Sequence, residues 1–157
     1  MRTNVTKILD DAGIPYTLKP HAGPVYTCED AARERGVRIS QIVKCMVGKD
    51  STGIVHVMLI PGDKTLKLKK VRQIAGGVRV ELVSPEQLAD EYDLTVGAIS
   101  PTQFIGKGRF YMDNTVFLDE DVDISSGDPS AGIELKAEAL CALLCAERCD
   151  IISTSGR

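Results

Sequence analysis

Two apolar runs joined by a short polar turn constrain the fold of this chain more than any other feature. Residues 39–47 and 54–60 carry few polar side chains, and Asp50-Ser-Thr-Gly53 lies between them. Apolar runs bounded by turn residues are typical of strands, and the turn predicts that they are joined as a hairpin. The second run is apolar on both of its faces, which predicts a strand that is covered on both sides.

Helical and extended patterns alternate along the rest of the chain. A capping Thr27 before Asp30 predicts that a helix begins near residue 28, and Gly36 predicts where it ends. Ser84 followed by proline predicts another helix start. Together the patterns favour one α+β or mixed α/β domain over residues 1–157, with a mixed or mostly antiparallel sheet. Further predicted elements are helices at 5–12, 68–75 and 136–148 and strands at 14–19, 78–83, 109–112, 115–118 and 133–135, with Asp113-Asn114 as a hairpin turn.

The composition limits both the core and the partners of the chain. Tryptophan is absent and aromatic residues make up 4% of the 157 residues, so the core must be aliphatic. A net charge of −3 disfavours a broad electrostatic grip on nucleic acid. One local basic stretch, Lys64–Arg72, is either the solvated face of an amphipathic helix or a patch that contacts phosphates. The sequence leaves both interpretations open.

The cysteine count and the N-terminus indicate a compartment. Five cysteines are an odd number, and the first residues form no apolar segment of a secretory signal. No apolar run approaches the length of a membrane span. We therefore expect a cytoplasmic protein with free thiols and no membrane partner.

Lys44 is the residue in the first apolar run that most needs an explanation. In a strand its side chain shares a face with Ile42 and Met46, and the opposite face is apolar as well. An ammonium group held away from water is costly unless it is paired. The lysine could lie on an edge strand, extend its ammonium to solvent, or form the floor of a pocket that needs a cation. The residues alone leave these alternatives open.

Few other residues fit a standard catalytic arrangement. His21 and His56 are the only histidines, and no nucleophile-elbow, phosphate-binding or dinucleotide-binding motif is present. His56 lies inside the second apolar run, which favours a hydrogen-bonded core residue over a ligand or base. Cys45 could be a thiolate nucleophile beside Lys44, although neighbouring strand residues point to opposite faces. The segment Gly97-Ala-Ile-Ser-Pro101 could offer backbone N–H groups to a carbonyl or carboxylate oxygen.

Two further clusters have both a metal-binding and an ordinary interpretation. Cys141, Cys145 and Cys149 recur at four-residue intervals, so on one helix they would share a face that could bind a soft metal. Packing of small apolar thiols is the favoured interpretation, because no histidine is nearby in sequence. The acidic run Asp119-Glu-Asp-Val-Asp123 lacks the glycine and terminal glutamate of a calcium loop, and we interpret it as a solvated turn. No metal or other cofactor is predicted.

A series of short motifs follows one another over about residues 4 to 145. They are Ile8-Leu-Asp-Asp-Ala-Gly-Ile-Pro-Tyr16 with His21, Glu29-Asp-Ala-Ala-Arg-Glu-Arg-Gly36, Gln41-Ile-Val-Lys44, Ile60-Pro-Gly-Asp63, Leu68-Lys-Lys-Val71, Ser84-Pro-Glu-Gln-Leu88, Val96-Gly-Ala-Ile-Ser-Pro101, and Ser126-Gly127 before Ile133-Glu-Leu135. In order and spacing they resemble the YbaK/ProX aminoacyl-tRNA deacylase family, which includes the editing insertion of bacterial prolyl-tRNA synthetases.

The resemblance implies a mixed β-barrel surrounded by helices, with a small-molecule pocket. It also implies metal-independent hydrolysis of the ester between a wrong amino acid and the 3′ end of a tRNA, often proline tRNA. The expected partners are aminoacyl-tRNA and prolyl-tRNA synthetase, and DNA is not among them. Lys44 matches the family's key lysine and would orient the scissile ester. The expected substrate contacts are Gly97, Ala98, Ile99, Ser100, Pro101, Ser126, Gly127 and His21.

The chain departs from the family pattern at several of these positions. Cys45 stands where relatives often have threonine, and Ala98 and Gln103 replace two glycines of the loop. The segment 125–132 lacks the histidine of alanine-editing relatives, whereas Ser126-Gly127 is closer to the cysteine-editing branch. The edited amino acid, expected to be cysteine, alanine or another small one, therefore stays open. So do two rival functions: a binding module without turnover, and a deacylase that acts on a different ester.

Overall fold

The two apolar runs form a hairpin at the centre of a five-stranded sheet, and a three-stranded sheet lies beside it. The computed structural model describes residues 1–154. Its α-helices are α1 (Asn4–Asp11), α2 (Cys28–Arg35), α3 (Leu68–Ile74), α4 (Pro85–Tyr92) and α5 (Ala137–Leu144), with short 3-10 helices at Ile39–Gln41, Pro101–Phe104 and Asn114–Leu118. Its strands are β1 (Thr17–Pro20), β2 (Val43–Asp50), β3 (Val55–Pro61), β4 (Val80–Leu82), β5 (Gly108–Asp113), β6 (Asp121–Ser125), β7 (Ala131–Lys136) and β8 (Glu147–Cys149).

Within residues 1–154 the strands form two open sheets. The larger has the order β4-β2-β3-β5-β8 and the smaller has the order β1-β7-β6. The pairs of β5 with β3 and β8 are parallel, and the other four pairs are antiparallel. This confirms a mixed, mostly antiparallel α+β domain. The barrel implied by the resemblance is not closed, because within residues 1–154 the two sheets are connected only by a bridge between Ile42, just before β2, and Asp123 of β6.

The core is mostly aliphatic, as the composition predicted, although Phe104, Phe110 and Tyr111 are also buried in it. Every residue of β3 is buried, which confirms the strand covered on both sides. Val57 of β3 belongs to the largest apolar cluster, together with Leu9 of α1, Ile133 of β7 and Leu140 of α5, all of them fully buried. Each such side chain stabilises the fold by roughly 1.5–3 kcal/mol relative to exposure. In residues 1–154 no helix has the length and apolarity needed to cross a membrane.

His56 is a hydrogen-bonded core residue, as predicted. Its Nε2 lies 2.8 Å from Asp50 Oδ2 and its Nδ1 lies 2.8 Å from the hydroxyl oxygen of Tyr111. Because an ionised carboxylate only accepts, Nε2 donates to Asp50, and in the neutral imidazole Nδ1 then accepts from the Tyr111 hydroxyl. The hydrogen bond from His56, followed by that from Thr52, lowers the pKa of Asp50.

Two local predictions from the sequence were wrong, one near residue 115 and one near residue 145. Residues 115–118 form part of a 3-10 helix rather than a strand, because Asp113 Oδ2 accepts from the Thr115 N–H at 3.0 Å and caps the turn. The last helix ends at Leu144, where Cys145 adopts a left-handed conformation with φ of 50°. The chain then enters β8, so Cys149 lies on a strand and the three late thiols do not share a helix face.

The acidic run was also misinterpreted. Asp121 begins β6, and Asp123 is fully buried within that strand. Val122 and Ile124 point into the main core, so the alternation in Asp121-Val-Asp-Ile-Ser125 is that of a strand with two covered faces. The interpretation as a solvated turn fails at Asp123, which is fully buried beside Arg35 of α2, whereas Glu120 is exposed.

Candidate functional site

A cavity of about 610 Å³ lies where β2 and β6 separate. The two strands are bridged at Ile42 and Asp123, and β4 pairs with β2 only at Gly48–Asp50. Residues 43–47 of β2 therefore have a strand partner on one side, β3, and form a wall of the cavity on the other. Apolar side chains dominate the lining, and those at its mouth are exposed: Tyr26, Leu82 and Val96.

Lys44 lies in this wall and its side chain is half-buried. Its Nζ donates a hydrogen bond to the Lys64 carbonyl oxygen at 2.7 Å. The segment after β3 reaches this position because the Gly62 N–H donates to the Ile42 carbonyl oxygen at 2.7 Å. An ammonium has three N–H groups, so two remain for a ligand in the cavity. Two of the alternatives left open by the sequence therefore apply together: Lys44 lies on a strand that is paired on one side, and it lines a pocket.

Two thiols lie close to Lys44, and both are poor thiolates. Burial raises the pKa of the Cys45 thiol to about 12. Burial also raises the pKa of Cys28, which lines the cavity, although the Lys44 charge acts in the opposite direction. At neutral pH both residues are therefore protonated, which disfavours the interpretation of Cys45 as a nucleophile.

The segment 96–101 closes one side of the cavity. Gly97 has φ of 86° and lies so close to Tyr26 that a Cβ would be 3.2 Å from its ring. A glycine is therefore needed for both the backbone conformation and the contact. Gly97, Ile99 and Pro101 line the cavity.

Two backbone N–H groups of this segment are already engaged. The Ala98 N–H donates to the Thr95 carbonyl oxygen at 2.9 Å, and the Ser100 N–H donates to Gln103 Oε1 at 2.7 Å. Ala98 and Ser100 are fully buried and do not belong to the lining. Among the four N–H groups expected to meet the substrate, those of Gly97 and Ile99 have no hydrogen bond assigned within residues 1–154.

The remaining expected contacts lie outside the cavity wall. Ser126 is fully buried and its Oγ donates to the Ala131 carbonyl oxygen at 2.7 Å, while Gly127 packs next to Val5 of α1. Ser125, one residue earlier, lines the cavity instead.

His21 lies behind the cavity lining. Its Nδ1 is 2.9 Å from the Pro129 carbonyl oxygen, and its Nε2 accepts from Arg35 Nε at 3.1 Å. Arg35 itself lines the cavity, so His21 reaches the site through the guanidinium. The structure therefore brings together Lys44 and the segment 97–101, and it places His21 one residue further out.

Sequence reasoning missed two charged residues at the inner end of the cavity, Arg35 and Asp123. The Arg35 guanidinium lies over Gly132, where a Cβ would be 2.0 Å from Nε. Arg35 Nη1 is 4.0 Å from Asp123 Oδ1. Burial, followed by the neighbouring Glu134 carboxyl, raises the pKa of Asp123 to about 7. The strand-like alternation around Asp123 was the signal that could have revealed it.

The basic stretch has a mixed role. Lys70 Nζ lies 2.9 Å from Asp150 Oδ1, and Arg72 donates twice to the Val80 carbonyl oxygen. Lys67 and Lys69 are exposed, and no ion pair is assigned to either within residues 1–154. Part of the stretch is therefore structural and part is free for a partner.

Sequence comparisons relate most of the chain to one family of domains. Residues 22–143 match the sequence model of the aminoacyl-tRNA editing domain. The prolyl-tRNA editing protein ProX of Acetoanaerobium sticklandii is 32% identical over 94 residues, which cover 59% of this chain and 57% of ProX. EbsC of Enterococcus faecalis, named as a candidate Cys-tRNA(Pro)/Cys-tRNA(Cys) deacylase, is 26% identical over 145 residues, covering 90% of this chain and 88% of EbsC.

Other matches are longer than this chain or show the fold alone. The chain spans 18% of the proline–tRNA ligase of Thermosipho melanesiensis, to which it is 30% identical over 102 residues. The crystal structure of the hypothetical protein APE2540 superposes with a TM-score of 0.88 at 24% identity, covering 96% of this chain and all of that one. The fold is therefore shared over nearly the whole chain.

Proposed function

Because the chain belongs to the aminoacyl-tRNA editing domain family, a family of aminoacyl-tRNA deacylases, we propose that it hydrolyses the ester of mischarged tRNA in trans. The observation that carries the proposal is the Lys44 ammonium, held by the Lys64 carbonyl in the wall of an apolar cavity. A cavity of about 610 Å³ has the size of a small-ligand site and accommodates an aminoacyl group with its ribose.

In this proposal Lys44 acts on the scissile carbonyl as a fixed cation. One of its two remaining N–H groups donates to the ester carbonyl oxygen, where negative charge develops as water attacks. The N–H groups of Gly97 and Ile99 are the further donors in the lining. The apolar surroundings strengthen these interactions by excluding bulk water. Tyr26 at the mouth offers a ring on which the terminal adenine can stack.

The finer substrate assignment is tRNA(Pro) carrying cysteine or alanine. It is supported by the names of ProX and EbsC, which refer to prolyl-tRNA editing and to Cys-tRNA(Pro). Prolyl-tRNA synthetase as a partner stays a prediction.

A panel of tRNA(Pro) charged with cysteine, alanine or proline tests the proposal. We expect Lys44→Ala to lower kcat/KM on the preferred substrate by roughly 100- to 1000-fold, the effect of removing one donor to a developing oxyanion. Lys49→Ala is the matched control, because Lys49 lies on the same strand but pairs with Glu91 at the surface. We expect its rate to stay within threefold of the wild type.

The same panel separates the rival functions. If Lys44→Ala hydrolyses every substrate as fast as the wild type, the enzyme proposal fails. Tight binding of an uncleaved aminoacyl analogue without turnover would favour a binding module, an alternative to which the engaged Ala98 and Ser100 N–H groups lend weight. We also propose that no metal takes part, so EDTA should leave the rate unchanged.

We propose that Lys67 and Lys69 contact the tRNA backbone. Both are exposed, at the start of α3, next to the segment that holds Lys44. Charge reversal of both residues should raise KM for tRNA by about tenfold at low salt, with kcat unchanged. Lys107→Glu is the control, because Lys107 is exposed but belongs to neither the stretch nor the cavity lining. An unchanged KM in the double variant would remove this part of the proposal.

A further inference from the structure

The Arg35–Asp123 pair is not used by the mechanism above. Asp123 is fully buried, lines the cavity, and neither of its carboxylate oxygens accepts a hydrogen bond within residues 1–154. Arg35 Nη1 lies 4.0 Å away, beyond hydrogen-bond distance, and Arg35 Nε is engaged by His21. A buried carboxylate without a donor is costly and rare. In its ionised form Asp123 therefore lacks a hydrogen-bond donor, and a ligand in the cavity could supply one.

The neighbouring charges are compensated by other partners. Glu134 of β7 is directly opposite Asp123 in the strand register, and its carboxylate binds Lys19 Nζ at 2.6 Å. Arg35 is positioned over the two strands because Gly132 has no side chain. The guanidinium thus balances the Asp123 charge without satisfying its oxygens, whereas Lys19 both balances the Glu134 charge and donates a hydrogen bond to it.

Asp123 lies on the same cavity wall as Lys44. The bridge pairs Asp123 with Ile42, and Lys44 is two residues further along β2, so both side chains emerge on one face. Two residues along a strand correspond to roughly 7 Å. In an aminoacyl ester the carbonyl carbon and the α-nitrogen are separated by a single carbon atom. With a hydrogen bond of roughly 3 Å at each end, one aminoacyl group can span a separation of that order, with its carbonyl oxygen at Lys44 and its α-nitrogen at Asp123.

We propose that Asp123 binds the α-ammonium group of the aminoacyl substrate, with Arg35 holding the carboxylate in place. The inference rests on the proposed function, because it takes the ester carbonyl to be at Lys44. An ammonium group brings three donors and satisfies both free oxygens. Substrates with a blocked α-nitrogen, such as N-formyl- or peptidyl-tRNA, would be excluded. The pair would thus restrict the enzyme to free aminoacyl esters.

Amide analogues of the aminoacyl adenosine end test the proposal without requiring turnover. The probes are 3′-deoxy-3′-(alanylamino)adenosine, its N-acetyl derivative, and the lactyl analogue, which replaces the ammonium with a hydroxyl of similar size. Isothermal titration calorimetry at pH 7.5 should show that the wild type binds the alanyl probe roughly 10- to 100-fold more tightly than the other two, as expected for charge-assisted hydrogen bonds.

Asp123→Asn should lower affinity for the alanyl probe by that factor and leave the lactyl affinity unchanged. Asp121→Asn is the matched control, because Asp121 lies on the same strand and pairs with Lys136 at the surface. Asp123→Asn leaves the Arg35 charge unpaired, which could impair folding. The double variant Arg35→Met with Asp123→Asn removes both charges and should also lose the preference for the alanyl probe.

Three binding results would overturn the proposal: equal wild-type affinity for the alanyl and lactyl probes, a preference that survives in both folded variants, or no binding of any probe. The proposed function fails separately. If the alanyl preference depends on Asp123 but no tRNA ester is hydrolysed, the deacylase proposal fails and the ammonium site stands. If esters are hydrolysed and N-acetylated substrates are cleaved equally well, only the ammonium site fails.

Discussion

Removing the Tyr111 hydroxyl should destabilise the protein, because it removes the hydrogen-bond partner of a single buried atom, His56 Nδ1. Tyr111 is fully buried, and its hydroxyl lies 2.8 Å from His56 Nδ1. Tyr111→Phe keeps the ring, which stacks on the imidazole with a centroid distance of 5.8 Å. The substitution therefore leaves the packing in place and deprives a buried acceptor of its donor. Leaving such a group unsatisfied costs roughly 1–3 kcal/mol.

The expected shift is measurable for a chain of this size. One kcal/mol lowers the melting temperature by roughly 2–4 °C for a domain of about 150 residues, so Tyr111→Phe should lower Tm by about 2–12 °C. The chain has no tryptophan, so urea unfolding is best followed by far-UV circular dichroism. The midpoint should fall while the slope m stays the same, because the surface exposed on unfolding is unchanged.

Tyr26→Phe is the matched control for this measurement. Tyr26 is 69% exposed, and no hydrogen bond is assigned to its hydroxyl within residues 1–154. Its loss should change the free energy of unfolding by less than about 0.5 kcal/mol. If Tyr111→Phe also changes the free energy by less than that, then the His56 Nδ1 does not depend on the tyrosine, and the assignment of its tautomer is wrong.

Three further predictions concern titration, packing and reactivity. Because hydrogen bonds hold the Asp50 pKa below its ordinary value, this carboxylate stabilises the fold above about pH 4, and its contribution to the free energy of unfolding should be lost as the pH falls below that. In a series of unfolding curves measured against pH, Asp50→Asn should flatten this part of the profile. Gly132→Ala should displace the Arg35 guanidinium, which a Cβ would approach to 2.0 Å, lower stability by roughly 1–3 kcal/mol and weaken alanyl-probe binding; unchanged binding would contradict the placement of Arg35. At pH 8 iodoacetamide should alkylate the exposed Cys145 well before Cys45, whose pKa is raised to about 12, as peptide mass spectrometry of a time course would show; equal rates would refute the raised pKa of the Cys45 thiol.

The sequence predicted those parts of the fold that depend on neighbouring residues. The hairpin between β2 and β3 needed only two apolar runs and a turn, and α4 needed only the cap at Ser84, whose hydroxyl accepts from the Gln87 N–H at 3.2 Å. The strand predicted at residues 115–118 failed because a nearby side chain competes for the backbone. At residue 115 the Asp113 side chain offers the backbone an alternative to a strand, and this outweighs the strand preference of the residues that follow.

The candidate site could be predicted only in part, because its charged end is assembled from distant segments. Asp123 meets Arg35 across 88 positions of sequence, and the contact further requires that residue 132 be a glycine. No periodicity connects three such positions. Lys44 stood out because a cation within an apolar run is conspicuous, whereas its partner is a backbone carbonyl that any residue at position 64 would provide.

The hydrogen bond from Lys44 to a backbone carbonyl has a consequence for how a ligand is bound. A free lysine side chain samples many rotamers, and fixing them costs up to roughly 2 kcal/mol of conformational entropy. Here the ammonium is already held at 2.7 Å from the Lys64 oxygen, so most of that ordering takes place when the chain folds. A substrate then meets a cation that is already in position, and its own binding energy remains available for distorting the ester toward the transition state.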